Sequence, residues 1–411
     1  MCLNFINNGT LLSMTIAERW LLPDGIEEIL PPEAARIEAL RRTLLDEYRV
    51  WGYELLQPPL AEYLESLLTG VGHDLDLLTF KITDQLSGRL MGISTDRTQQ
   101  VARMDAHSMP KEGVARYCYC GEVLHTKPIH LLSSRSPMQV GAELYGYAGL
   151  DSEIEIASLM LTSLDKAGLK DITLDLGHVG IYQALVEETS LSSDEKNELF
   201  SLLRSRAVPE LNQWLNNASL PEYQRNWFIQ LPKMAGSVTQ LSSWKALFEK
   251  APKQLSEAFD SLVTVANALN ERFPQVNVHA DLAELRDYNY HTGLVFSAFV
   301  SGFGQAIARG GRYDATGSVF GRSRPATGFS SDLKVLAQLT GSDWSEQKAI
   351  LAPVGSSAEL FKAIAKLRSQ GERVIQQLPE QAQIEELGCD RALVEVDGQW
   401  TVQLISQNRH N

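Results

Sequence analysis

The stretch Arg286-Asp-Tyr-Asn-Tyr-His-Thr-Gly-Leu-Val-Phe296, followed by Gly310-Gly-Arg-Tyr-Asp314, restricts this chain more than any other feature. Its alternation of polar and apolar residues predicts a half-buried strand over Tyr288 to Ser301. A strand that served only the core would not turn aromatic hydroxyls, an imidazole and a guanidinium inward. Each buried polar group must find a hydrogen-bond partner. The second segment reads as a glycine hinge ending in a basic, aromatic and acidic triplet. Together they predict the wall of a pocket for a small polar, partly aromatic ligand. These residues alone leave open whether the pocket catalyses or only binds.

A chain of 411 residues holds two or three domains, each large enough to bury a core. Its net charge of -14 argues against nucleic acid as a partner, because phosphate contacts call for a basic face. Cys2, Cys118, Cys120 and Cys389 are too few to staple a chain of this size. The pair Cys118-Tyr-Cys120 has one intervening residue where a zinc site needs two or more. Reduced thiols, no metal and no cofactor are expected. No apolar run reaches the length of a membrane span, and the N-terminus lacks the order of a secretory signal. A cytoplasmic protein without membrane contact is expected. Residues 1–13 differ in character from the rest of the chain, which marks Met14 as a candidate start.

Apolar residues at Ile37, Leu40, Leu44, Leu45, Tyr48 and Trp51 predict a helix over 32–51. An edge strand over Tyr53 to Leu60, carrying Pro58-Pro59, comes after it. Next come a strand pair over Leu77 to Thr83 and Arg89 to Ser94, and a short helix opening at Asp96. Two longer strands span Arg116 to Leu124 and Met138 to Tyr145, and a helix covers Ser152 to Ala167. Ile172 to Leu176 is a short strand. From Ile181 to Arg272 the pattern is helical, and it reads as an inserted module at about 183–274. Strands resume at Val276 to Leu282, Tyr288 to Ser301 and Phe303 to Arg309, before a closing helix over Gly328 to Leu339. These elements predict an α+β fold: an antiparallel sheet flanked by helices, filling residues 1–340. A small α/β appendage at 341–411 completes the chain. No Gly-x-Gly-x-x-Gly opens a helix, and no phosphate loop is present.

The order of these elements resembles the catalytic domain of class II aminoacyl-tRNA synthetases, the histidyl enzyme in particular, over roughly residues 20–340. Gly52-Tyr53 with Pro59 and Glu62 is similar to the family's first motif, whose proline lies at a dimer interface. Arg286 with Tyr288 to Phe296 resembles the histidine-specific signature, and Gly310-Gly-Arg-Tyr-Asp314 its companion. The resemblance implies that Asp96 receives an α-amino group, that Gln139 and Glu143 help read amino group and imidazole, and that Tyr290 and His291 form the aromatic pair beside Arg286. These six residues form the expected histidine receptor. Such synthetases hold the phosphates of ATP with arginines in a second and a third motif, a planar and permanently charged match for phosphate. Here the second motif reads Tyr119-Cys-Gly-Glu122, with Cys120 at the arginine's place. The third reads Gly328-Phe-Ser-Ser-Asp-Leu-Lys-Val335, with Val335 at the other. Each loss removes about 3–4 kcal/mol of transition-state stabilisation.

The regulatory subunit of ATP phosphoribosyltransferase is a family that keeps this fold and lacks these arginines. The resemblance implies a protein with no catalysis of its own. It would form a homodimer through the synthetase-like interface and assemble with the short-form catalytic subunit into a hetero-octamer. There it would activate the first step of histidine biosynthesis and relay feedback inhibition by L-histidine as an allosteric ligand. A divergent histidyl-tRNA synthetase, or a synthetase-like paralogue of another pathway, is the competing reading. Each would need other groups to replace the two arginines.

Overall fold

The computed structural model describes the chain except residues 1–2, 8–9, 15–19, 70–72, 131–132, 249, 286–289, 341–346, 382–386 and 406–411. Two compact units result, Met1–Gly341 and Ser342–Asn411. Among the described residues, no helix is long and apolar enough to cross a membrane.

A nine-stranded sheet organises the first unit. Its strands are β1 (Glu54–Leu56), β2 (Ala115–Glu122), β3 (Met138–Tyr145), β4 (Ile172–His178), β5 (Ala235–Ser237), β6 (Asn277–Asp281), β7 (Leu294–Val300), β8 (Ala308–Arg312) and β9 (Ala326–Asp332). Their order is β5-β6-β4-β7-β8-β9-β3-β2-β1. Neighbours run antiparallel except β1 with β2 and β6 with β4, which are parallel. Strand β1 stands at an edge and ends at Leu56, short of the expected Leu60, because Pro58 and Pro59 have no N–H for a ladder.

One face of the sheet is covered by helices. Helix α1 (Glu33–Val50) buries Ile37, Leu44 and Tyr48, spaced at seven and four residues, and so on one side of a 3.6-residue period. Helix α3 (Asp151–Lys166) buries Ile156, Leu159, Met160 and Leu164 in the same layer. Tyr48 meets Phe329 of β9 edge-on, with ring centroids 6.0 Å apart. Between them in sequence, α2 (Arg97–Arg103) starts at Asp96, whose carboxylate accepts from the Thr98 amide at 2.8 Å. That bond satisfies an amide that has no partner within the helix.

Several expectations are corrected. Gly328 does not begin the closing helix: β9 runs to Asp332, and helix α5 covers Leu333–Leu339, capped by Asp332. Pairing on both sides, with β8 and β3, holds 326–332 extended. The segment Gly310-Gly-Arg is a central strand, not a hinge. A Cβ at Gly310 would run into the Phe296 ring and the Gly328 carbonyl, so the residue is needed for close approach. Of the strand expected over 288–301, residues 288–289 lie outside the described residues, and among the described ones the strand covers Leu294–Val300. The strand expected from Leu77 begins at Lys81, because His73–Leu78 is helical.

The helical stretch after β4 begins at Val179–Glu187 and ends with α4 (Lys253–Arg272). One of its helices opens with a capping box in which Ser192 and Glu195 satisfy each other's amides. This stretch is not sealed off by a core of its own. Helix α4 packs on α3 and β4, and Leu199, Phe228 and Leu262 belong to the same apolar cluster as Leu44 and Leu159. Burying each such side chain contributes about 1.5–3 kcal/mol. Strand β5, within this stretch, escaped the sequence reading because Ala-Gly-Ser carries no β-branched signal.

The second unit is a four-stranded sheet in the order Val374–Gln376, Ala349–Ala352, Cys389–Val396, Gln399–Leu404, with the helix Ala358–Ser369. Ile350, Ala352, Leu360, Ile364, Val374 and Leu393 make its core.

Candidate functional site

The face of the sheet opposite α1 and α3 carries the site. Because side chains alternate along a strand, residues paired across the ladder share a face. Gly121, Tyr119 and Tyr117 of β2 pair with Gln139, Gly141 and Glu143 of β3. Glu143 pairs in turn with Gly328 of β9, and Gly328 with Gly311 of β8. One row across the face therefore reads Gly311, Gly328, Glu143, Tyr117. The two glycines leave a floor without side chains. A Cβ at Gly311 would strike the His291 ring and the Leu294 carbonyl, and one at Gly328 would lie on the Glu143 carboxylate. Gly328→Ala should push that carboxylate out of place and abolish ligand binding, as titration calorimetry would register.

Glu143 is 1% exposed. Tyr119 donates to its Oε1 at 3.0 Å and Tyr313 donates to its Oε2. The Tyr119 hydroxyl also meets Thr98 Oγ1 at 3.1 Å, and the hydroxyls of Tyr313 and Tyr145 lie 3.1 Å apart. Burial outweighs these bonds and pushes the Glu143 carboxyl up to about 8. Burial likewise holds Tyr119, Tyr145, Tyr290 and Tyr313 well above the usual phenol range, with the Glu143 charge adding to it.

Next to this cluster, Gln139 Nε2 donates to Asp96 Oδ1 at 2.9 Å, and Gln139 Oε1 accepts from the Arg97 amide at 2.8 Å. Tyr290 stacks on Tyr313 with centroids 5.1 Å apart and planes 20° apart. The Tyr290 hydroxyl faces Thr316 without a hydrogen bond of normal geometry. His291 stands edge-on to Tyr290 at 5.1 Å. Asp96, Gln139, Glu143, Tyr290 and His291 are thus brought together from α2's N-cap, β3 and the segment before β7. The last two precede the strand instead of standing on it, so their rings lie over the glycine floor. Arg286 lies outside the described residues.

Tyr119, Thr98 and Tyr313 escaped the sequence reading as site residues. Tyr117 and Tyr119 stand at the two-residue spacing of one strand face, which is the signal that could have found them. Tyr313 was in view, within the companion motif, without a role. Its position is secured by its neighbour. Arg312 grips Glu153 of α3 through two nitrogens, Nη2 to Oε2 at 2.6 Å, and also reaches Ser152 at 2.7 Å and Asp314 at 3.1 Å.

Cys120 is corrected. It pairs with Val140 on the helix-facing side of β2 and packs at the rim of the α1 layer, within electrostatic reach of Arg41. An arginine at 120 would point into that layer and not into the pocket. The comparison with a phosphate clamp therefore fails there on orientation. Burial raises the Cys118 and Cys120 thiols to about 12 and about 11, which makes both unreactive. On the pocket side Gly121 instead accommodates the Arg97 guanidinium, held by the carbonyls of Pro58 at 3.0 Å and Glu122 at 2.8 Å.

Known proteins share this arrangement. A family model described as histidyl-tRNA synthetase matches residues 25–336, and one described as the ATP phosphoribosyltransferase subunit HisZ C-terminal domain matches 347–403. The ATP phosphoribosyltransferase regulatory subunit of Thioalkalivibrio sulfidiphilus is 51% identical, over 95% of this chain and 99% of its own. That of Ectopseudomonas mendocina is also 51% identical, over the same shares. Among solved structures, an ATP phosphoribosyltransferase regulatory subunit/histidyl-tRNA synthetase from Bacillus halodurans superposes with a TM-score of 0.78 at 23% identity, covering 90% of this chain and 95% of that one. That likeness is one of fold. On the near full-length identity to its curated relatives, the chain belongs to the ATP phosphoribosyltransferase regulatory subunit family.

Proposed function

We propose that this chain binds L-histidine in the pocket of Asp96, Gln139, Glu143, Arg286, Tyr290 and His291, and uses that binding to regulate a partner enzyme. The observation that carries this is the buried Glu143 carboxyl group, bonded by Tyr119 and Tyr313 and connected through Thr98 to Asp96 and Gln139. Asp96 is bonded twice on Oδ1, by Thr98 and Gln139, so Oδ2 is left for an ammonium group. Glu143 can share a proton with an imidazole, and the stacked Tyr290 and Tyr313 offer the flat apolar wall that ring needs.

The partner is the short-form ATP phosphoribosyltransferase catalytic subunit. A solved HisG:HisZ complex of that enzyme from Thermotoga maritima contains a chain of this fold, with a TM-score of 0.58 at 17% identity, covering 74% of this chain and 98% of that one. The chain activates that subunit and passes on inhibition by histidine, as a cytoplasmic homodimer within a hetero-octamer. The homodimer forms through the edge around Pro58 and Pro59. It performs no adenylation, because valine at 335 cannot clamp a phosphate. Metal, cofactor and nucleic acid have no part in this reading.

Titration with histidine, alone and with the catalytic subunit while following its turnover, tests it. Activation on mixing and a histidine-dependent fall in turnover are expected. No activation would overturn the assignment, and histidine-driven pyrophosphate exchange would favour a synthetase.

A further inference from the structure

Helix α2 touches the pocket at one end and grips the segment leading out of β1 along its side. At the pocket end, Asp96 caps the helix, the Arg97 amide donates to Gln139, and Thr98 meets the Tyr119 hydroxyl that also serves Glu143. Asp96 is therefore bonded to the helix's first turn directly, and Glu143 is connected to it through the Tyr119 hydroxyl. Along the side, Arg97 donates to the Pro58 carbonyl at 3.0 Å. Gln100 donates to the Pro59 carbonyl at 2.7 Å and to Glu62 Oε1 at 2.8 Å, and Arg103 reaches the same oxygen at 2.7 Å. Ser94 closes the set. Its amide donates to the Leu60 carbonyl at 2.8 Å and its hydroxyl to Gln100 Oε1 at 2.7 Å.

Gln100 is 1% exposed, and residues 97–102 are all buried. A two-turn helix about 10 Å long, enclosed on all sides, moves as a unit. The segment it holds runs from Pro58, past the end of β1, to Glu62 in the strand Ala61–Tyr63 of a separate three-stranded sheet, and Leu55 and Leu60 beside it stand about half exposed.

We propose that α2 carries ligand occupancy from the pocket to the Pro58–Glu62 segment, with Gln100 as the positioning residue that makes the connection. This rests on the reading that the pocket binds histidine. Gln139 Nε2 donates to Asp96, and Gln139 Oε1 accepts from the Arg97 amide. A ligand ammonium on Asp96 Oδ2 draws charge from Oδ1, where Gln139 and the Thr98 amide are bonded, so both bonds at the helix N-terminus weaken. The two states differ in contacts at the start of the helix, which is what a coupled equilibrium requires. Gln100 then passes the displacement on, because one side chain bonds both the backbone at 59 and the carboxylate of Glu62.

The test uses the full chain with L-histidine, by calorimetry and by amide exchange of residues 54–63. Saturating histidine should change exchange across that segment about tenfold in the unsubstituted protein. Gln100→Met, of similar volume, should bind histidine within about threefold of the original affinity while its 54–63 amides no longer respond. In the assembly with the catalytic subunit, histidine inhibition should weaken about tenfold in that variant. Arg103→Met, at a partly exposed position, removes one of the two donors to Glu62 Oε1 and should give the same pattern in smaller degree. A Gln100→Met chain that binds histidine and keeps the exchange response would overturn the proposal. So would a folded variant that has lost histidine binding altogether, since Gln100 would then only support the pocket. If the unsubstituted chain binds histidine without any response at 54–63, the coupling fails and the pocket stands. If it does not bind histidine, the pocket reading fails and takes the coupling with it.

Discussion

Glutamine in place of Glu143 should weaken histidine binding at least ~10-fold and, near pH 8, should make the empty protein more stable than the original. The carboxyl has an ordinary value of 4.5 and is pushed up to about 8, chiefly by burial. The folded state therefore holds this proton more tightly than the unfolded one. Its contribution to stability is complete below 4.5 and is lost as pH rises through about 8. A neutral amide has no such loss. The stability difference should turn in the variant's favour across that window and then level off, by up to a few kcal/mol. Urea unfolding at several pH values measures it. The neighbouring tyrosines, held above their usual range, stay protonated throughout.

The same carboxyl makes binding itself depend on pH. A complex with one proton between Glu143 and the ligand imidazole forms best when the free imidazole is neutral and the free carboxyl protonated. Imidazole loses its proton near ~6.5, and Glu143 keeps its own to about 8. Histidine affinity should peak between those values and fall about tenfold per pH unit on either side. Glu143→Gln should lose the alkaline limb and retain the acidic one. An affinity that rises steadily through this range would exclude proton sharing at Glu143.

Arg312→Met should destabilise the first unit by about 3–5 kcal/mol, the usual cost of stranding one partner of a buried ion pair. The side chains of Arg312 and Glu153 are 8% and 2% exposed. With the guanidinium gone, Glu153 keeps a bond from Ser152 at 3.1 Å and its charge is left in the interior. Because Arg312 ties β8 to the first turn of α3, its loss also releases Tyr313, the next residue, from its place beside Glu143 and Tyr290. Reduced histidine affinity should accompany the fall in stability. The double change Arg312→Met with Glu153→Met should recover much of the stability, since well-packed apolar residues can replace a buried pair. Chemical denaturation of the single and double variants checks this. Equal losses in both would show that packing alone matters at this position.

Much of the fold was legible from residue pattern. The apolar spacing in α1 and α3 and the cap at Asp96 are local signals, and each element formed near its expected bounds. Misread segments were those whose state is set by distant partners. Residues 328–332 look helical until β3 and β8 pair with them. Gly310 and Gly311 look like a hinge until the Phe296 and His291 rings occupy the space beside them. Strand β5 exists because β6 offers it an edge.

The sequence by itself determined the family and the types of group in the pocket, because motifs and periodicity are properties of neighbouring residues. Carboxylates, a glutamine and an aromatic pair could be named from it. Only the tertiary structure decided which side chains face the same space. Pairing of β2 with β3 turned Cys120 away from the pocket and brought Tyr119 into it. Pairing of β3 with β9 buried Glu143 against a glycine, and the Arg312 anchor set Tyr313 upon it. A strand places alternate residues on opposite faces, so a register set by residues far apart in sequence chooses which of two neighbours joins the Glu143 cluster.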